Sequence, residues 1–146
     1  MHDSLDLSRA ECETLLRSEV VGRLALSTPD GPHVIPINYS VVDDAIIVRT
    51  SPYSVLGTYG RDSTLAFEID HFDHDEHSGW SVVARGRAAF VTDPATLEHI
   101  KALGQPDPWA AGGREMYLRL KWDELNGRRL GPRVEPVAVL DARPAL

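Results

Sequence analysis

The chain has 146 residues, 42% of them apolar and 25% charged, a length that suits one domain of about 150 residues and a composition that excludes disorder. Its 15 Lys and Arg against 22 Asp and Glu give a net charge of −7, which excludes non-specific adhesion to nucleic acid or an anionic membrane surface, since both require a basic protein. No apolar run approaches the roughly 18 residues of a membrane span, Met1–Leu7 has neither a basic start nor a signal-peptide core, and Cys12, the only cysteine, has no internal disulfide partner, which points to a reducing cytoplasm.

The first element begins at Ser8. Ser8-Arg9-Ala10-Glu11 reads as a capping box, in which the Ser8 hydroxyl and the Glu11 carboxylate each satisfy the other residue's amide. Leu7 and Cys12 occupy the staple positions around it, and Cys12, Leu15 and Leu16 form one apolar stripe. Cys12 therefore reads as a core residue, with no pattern beside it that would stabilise a thiolate. After Gly22 the period becomes two: Leu24 and Leu26 alternate with Arg23, Ala25 and Ser27 up to the turn residues Pro29-Asp30-Gly31. His33 to Val42 continues as one extended segment, with Val34, Pro36 and Asn38 on one face and Ile35, Ile37 and Tyr39 on the other. Asp43-Asp44 turns the chain into a third strand, Ala45 to Thr50, completing an antiparallel meander. Pro36 removes a ladder donor, so it marks either an edge strand or backbone against which a ligand packs, and Asn38 would share that face.

Pro52 to Tyr59 reads as a short helix stopped by Gly60. Thr64 to Ile69 is a fourth strand, Asp70 to Ser78 a polar loop, and Gly79 to Thr92 a fifth strand. Asp93-Pro94 caps and opens a helix through Leu103 that buries Leu97, Ile100 and Leu103. A loop from Gly104 to Gly113 carries Trp109, Glu115 to Lys121 is a sixth strand, and Asn126-Gly127 signals a turn before Arg128-Arg129-Leu130. Residues 131–146, with three prolines, read as an extended C-terminal tail behind a domain of residues 1–130. Six short, mostly antiparallel strands with two or three helices imply an α+β protein built on a small β-barrel.

Few segments carry chemistry. His71, His74 and His77 stand among carboxylates at steps of three, but that spacing aligns side chains only on a helix, and the run lacks an apolar stripe; it reads as a solvated hairpin loop with no metal site. Gly-rich phosphate loops, nucleophile elbows and metalloprotease helices are missing from the sequence. In Val48 to Ser54, a strand ends in Arg49, Thr50 and Ser51, and a helix that carries Ser54 begins within a few residues. These residues form either an anion seat suited to phosphate or ordinary strand-end caps. Trp80, after Gly79, is either a core aromatic or a cover for a flat ligand, and Trp109 is either a packed ring, a lid or an interface anchor. Arg128-Arg129 is either a solvated pair or a reach toward an anion, in the partner subunit if there is one.

In order and spacing these pieces resemble short members of the pyridoxamine-5′-phosphate-oxidase-like flavin-binding split-barrel family. The resemblance rests on Val21-Gly22-Arg23-Leu24-Ala25-Leu26, Val34-Ile35-Pro36-Ile37-Asn38-Tyr39, Val48-Arg49-Thr50, Leu65-Ala66-Phe67-Glu68-Ile69-Asp70, Gly79-Trp80-Ser81-Val82-Val83-Ala84-Arg85-Gly86 and Gly127-Arg128-Arg129, covering roughly residues 8 to 130. It implies a six-stranded antiparallel Greek-key barrel that forms homodimers with FMN in clefts at the subunit interface. By that resemblance Val34, Ile35, Pro36, Ile37 and Asn38 run under the isoalloxazine ring, and Arg49, Thr50, Ser51 and Ser54 hold the ribityl phosphate. Trp80 and Ser81 flank the ring or ribityl chain, while Trp109 and Arg128 approach from the partner subunit. Val55 stands where phosphate-holding relatives carry lysine, and relatives of this fold also bind a deazaflavin coenzyme or heme. True pyridoxamine-phosphate oxidases are longer and more basic at the substrate, so that activity is not expected. The resemblance implies an FMN-binding, cytoplasmic, homodimeric oxidoreductase of unknown substrate and unknown catalytic residues. A non-catalytic flavin, deazaflavin or heme carrier or sensor is the alternative.

Overall fold

The computed structural model describes residues 3–110 and 112–131. Its elements are β1 (Asp3–Asp6), α1 (Arg9–Ser18), β2 (Val21–Thr28), β3 (Gly31–Asn38), β4 (Ser40–Val42), β5 (Ala45–Thr50), α2 (Val55–Tyr59), β6 (Thr64–Asp73), β7 (Ser78–Phe90), α3 (Pro94–Leu103) and β8 (Met116–Gly131). Apart from Gly131, the tail expected over residues 131–146 lies outside the described residues. Among those described, no helix is long and apolar enough to cross a membrane.

Every strand pairing is antiparallel, in one sheet of order β3-β2-β6-β7-β8-β5-β4 with β1 added beside β8. The α+β class is as expected, but the six-stranded barrel is corrected to eight strands among the described residues. One extra strand is β1, whose Asp3–Asp6 pairs with Arg128–Gly131. The other arises because the segment from His33 to Val42 breaks at Tyr39 into β3 and β4, which stand at opposite ends of the strand order. A single residue joins the two edges, so the sheet has to curl until they come near each other, leaving a gap between β3 and β5. Tyr39 anchors that crossing: it is buried, its amide donates to the Val20 carbonyl at 3.0 Å, its hydroxyl donates to the Leu16 carbonyl at 2.5 Å, and its ring meets Phe67 edge-on at 4.7 Å.

The core fills the inside of the curl. Leu24, Leu26, Ile46, Val48, Leu65, Phe67, Ile69, Val82, Leu118 and Leu120 are buried there with Cys12, Leu15 and Leu16 of α1. Both arms of the capping box form, Ser8 N–H to Glu11 Oε1 at 2.9 Å and Glu11 N–H to Ser8 Oγ at 3.1 Å. The turn expected at Asn126-Gly127 is absent, because β8 runs unbroken from Met116 to Gly131. Packing, not turn chemistry, explains this glycine: a Cβ on Gly127 would lie 2.6 Å from Cys12 Sγ and 2.9 Å from Leu7 Cδ1. Helix α1 thus rests directly on β8 backbone. The irregularity in β8 is a bulge, since Arg85 pairs with Glu124 and Gly86 with Trp122, leaving Asp123 without a partner. A second small core lies outside the curl, where Ile100 of α3, with Leu97 and Leu103 beside it, covers Val42, Ala45, Ile47 and Tyr117. Strand β5 is therefore buried on both faces, which makes it a fixed wall for the gap it faces.

Candidate functional site

The gap holds a cleft of about 250 Å³, lined by Ile35, Pro36, Ile37 and Asn38 of β3, Arg49 and Thr50 of β5, Ser54 and Leu56 around α2, and Pro108, Ala110 and Arg114 of the loop before β8. One wall is backbone. Among the described residues β3 pairs only with β2, so its outer row of amides and carbonyls has no ladder partner there and can meet a heteroatom-rich ring. Edge position also accounts for Pro36, which the middle of a sheet would not tolerate. Ile35 and Ile37 turn inward onto the core, while Val34 is 67% exposed on the opposite face and lies outside the cleft lining.

The other wall is polar. Thr50 is the one buried polar residue among those described, and its Oγ1 lies 2.6 Å from Ser54 Oγ. Ser54 caps α2 by accepting from Gly57 N–H at 2.9 Å and donates to the Ser51 carbonyl at 2.8 Å. With that proton committed, Thr50 is the donor between the two hydroxyls. Arg49 donates to the Arg114 carbonyl at 3.2 Å and the Pro106 carbonyl at 3.4 Å and lies 5.2 Å from the Tyr117 ring centroid. It thereby ties the loop over the cleft to β5. Arg114 is the cation that the sequence reading missed. It is half-buried on the cleft wall and its guanidinium makes no hydrogen bond or ion pair among the described residues. A basic residue directly after Gly112-Gly113 and before a strand was the available signal.

The remaining expected site residues sit elsewhere. Ser51 adjoins the cleft in sequence, where its Oγ accepts from Tyr53 N–H at 3.2 Å, but it does not line the cavity. Val55 is 36% exposed at the start of α2 and also outside the lining, so it is not a core position. Trp109 is 72% exposed in the same chain's loop, where its amide donates to Asn38 Oδ1 at 2.9 Å. Trp80 packs partly against the core and faces the His71 ring at 6.4 Å. Ser81 and Arg128 are cross-strand partners on β7 and β8 and do not border the cleft.

His71 belongs to β6, which extends four residues beyond the expected end at Ile69, to Asp73; His74 and His77 lie in the tight turn, where Asp73 Oδ1 accepts from the amides of Asp75 and Glu76, both at 3.0 Å. Burial first and the Glu19 carboxylate second push the Tyr39 phenol well above its ordinary value, so with its proton on the Leu16 carbonyl it is a structural group. Burial, followed by Glu11 and Glu13, raises the Cys12 thiol to about 11, consistent with a packed core residue.

A model of the family described as pyridoxamine 5′-phosphate oxidase matches residues 8–129. The chain is 31% identical to the FAD binding protein from Mycobacterium smegmatis, with a TM-score of 0.77 over 87% of this chain and 98% of that one. It is 29% identical over 131 residues to an uncharacterized protein of Mycobacterium tuberculosis, covering 86% of this chain and 85% of that one. The FAD and heme binding protein from M. smegmatis, at 18% identity, shares the fold, with a TM-score of 0.68 over 91% of this chain and 76% of that one.

Proposed function

Since the chain belongs to the pyridoxamine 5′-phosphate oxidase family, we propose that it binds a flavin nucleotide between β3 and β5 and acts as a flavin-dependent oxidoreductase. The observation that carries this reading is the pairing of an unladdered backbone edge, Ile35–Asn38, with an Arg49, Thr50, Ser54 and Arg114 wall across one cleft. The edge offers amides and carbonyls to ring nitrogens and oxygens, and the opposite wall offers hydroxyls and guanidinium groups to phosphate. Once bound, the flavin supplies hydride chemistry, and the protein supplies orientation and electrostatics.

FAD is favoured over FMN for two reasons. The 31% identical relative is an FAD binding protein. Val55 also leaves no lysine beside the seat for a terminal phosphate carrying about −1.5 to −2 charge, whereas the pyrophosphate of FAD presents two single charges. FMN and a deazaflavin coenzyme remain the competing ligands of the same cleft.

A homodimer belongs to this reading. The cleft is smaller than the usual 300–1,000 Å³ cofactor pocket, as a site completed by a second copy would be. Cross-strand register places Pro36, Arg23, Glu68, Val83 and Asn126 in one row on the outer face, with Val34 and Ala25 on one side and Ser81 and Arg128 on the other. Val34, Phe72 and Leu130 are exposed there. Ser81 and Arg128 on that face can reach a ligand only in a site built with a partner copy. We further place this work in the cytoplasm, where a lone buried Cys12 stays reduced.

Anaerobic mixing of the flavin-loaded protein with NADH or NADPH tests the oxidoreductase reading. Bleaching of the flavin band followed by its return with an added acceptor supports catalysis; a band that no nicotinamide bleaches makes the protein a carrier or sensor.

A further inference from the structure

A second and larger cavity, about 620 Å³, opens on the other side of the contact between Asn38 and Trp109. Its walls come from the end of α1, from β4 and from the segment after α3. The lining is largely apolar, with Val20 56% exposed, Trp109 72% exposed, and Leu103 beside them. Its charge is one-sided. Glu19 and Asp107 have no hydrogen bond or ion pair with any side chain among the described residues, and the Glu19 carboxylate acts on Tyr39 inside the same cavity. The one guanidinium on the wall among the described residues, Arg17, is held by the Asp43 carbonyl at 2.7 Å and the Asp44 carboxylate at 3.8 Å. Anions therefore meet two uncompensated carboxylates there, while an apolar body finds a ring and two aliphatic side chains.

We propose that this cavity binds a small organic cation, an aromatic or aliphatic amine whose body lies against Val20, Leu103 and Trp109 and whose ammonium meets Glu19 and Asp107. A cation over the exposed indole adds a favourable contact with the ring, and the partly buried Glu19 carboxylate attracts it more strongly than it would in open water, with the exposed Asp107 adding a weaker pull. The Trp109 amide to Asn38 contact forms the partition between the cavity and the cleft, so the amine sits next to whatever the cleft holds. The cavity serves this ligand whether or not the cleft carries flavin.

Calorimetry on the full chain with three indoles of matched ring tests this: tryptamine as the cation, skatole as the neutral compound and indoleacetate as the anion. Tryptamine should bind about tenfold or more tighter than indoleacetate, with skatole between them. The double substitution Glu19→Gln with Asp107→Asn, isosteric at positions that hold no other side chain, should bring tryptamine down to the affinity of skatole and leave skatole unchanged. Trp109→Ala, at an exposed site, should weaken tryptamine and skatole together. Indoleacetate binding as tightly as tryptamine, or no tryptamine binding at millimolar concentration, would overturn the proposal. So would tryptamine binding that disappears when the protein is saturated with FAD, because the cavity would then belong to the adenosine end of the flavin.

Discussion

Replacing Arg114 with glutamine isolates the contact between the cleft and a ligand phosphate. The other cleft cation is a poor probe, because Arg49 makes two hydrogen bonds to loop carbonyls and lies over Tyr117, and its removal would loosen the loop along with any ligand. The Arg114 guanidinium has no protein partner among the described residues, so Arg114→Gln should leave the melting temperature within about 2 °C of wild type, as surface substitutions away from special features do. A charge-assisted contact to phosphate contributes about 1.5–3 kcal/mol. Arg114 is only half-buried, and solvent screening lowers this to about 1–2 kcal/mol, or roughly 5- to 30-fold in dissociation constant. The assay is fluorescence quenching of FAD, FMN and riboflavin on titration with each protein, at two salt concentrations. Both nucleotides should weaken by that factor, riboflavin should not change, and the difference should shrink as salt rises, because the Debye length falls below about 10 Å above 0.1 M. An equal loss for riboflavin, or none for the nucleotides, would refute the assignment of the β5 wall to phosphate.

Val55→Lys, at a position already 36% exposed, should tighten FMN more than FAD and leave riboflavin unchanged in the same titration; a gain shared by all three would point to a general effect on α2. Val34→Glu places a charge on a 67% exposed outer-face position, so the monomer should keep its fold while the dimer dissociates in sedimentation velocity and flavin affinity falls with it. Gly127→Ala should destabilise by about 1–3 kcal/mol through overpacking, lowering the melting temperature by roughly 3–10 °C, and Cys12→Ala should recover part of that loss by removing the Sγ that lies 2.6 Å from the new methyl. Glu68 gives a pH test. Burial and the neighbouring Asp70 raise its carboxyl against the opposing pull of Arg23, so its contribution to stability is fully present below the ordinary glutamate value near pH 4.3 and is lost as pH rises through the raised one. Wild type minus Glu68→Gln stability, measured by denaturant melts from acid to neutral pH, should therefore decline as pH rises; a flat difference would contradict it.

Features determined by neighbours in sequence were legible without coordinates. The capping box at Ser8 and Glu11, the Asp93-Pro94 start of α3 and its Leu97, Ile100 and Leu103 face all depend on residues within one or two turns. The misreadings share a long-range cause. Asn126-Gly127 has the composition of a turn, but its glycine answers to Cys12 and Leu7, more than a hundred residues away. The break at Tyr39 is invisible to alternation because an edge crossing preserves the period while changing the partners. β1 is four residues with a single apolar side chain, too short to show a pattern before its pairing with β8 is known. In the candidate site, the β3 segment and the Arg49, Thr50 and Ser54 group were readable as motifs. Arg114 belonged to no motif: its signal was a basic residue after Gly112-Gly113, and only the loop's return across the cleft brings it to the wall. The large cavity assembles α1, β4 and the α3 exit, which no local pattern connects.

The visible absorption spectrum of the purified protein, with mass spectrometry of the small molecule released by heat, tests the central claim most directly. The account predicts a yellow protein with flavin absorption bands and a released mass equal to FAD or FMN, restored on adding that flavin back to the stripped chain. A Soret band in place of the flavin bands, or a colourless protein that takes up neither flavin on incubation, would contradict it.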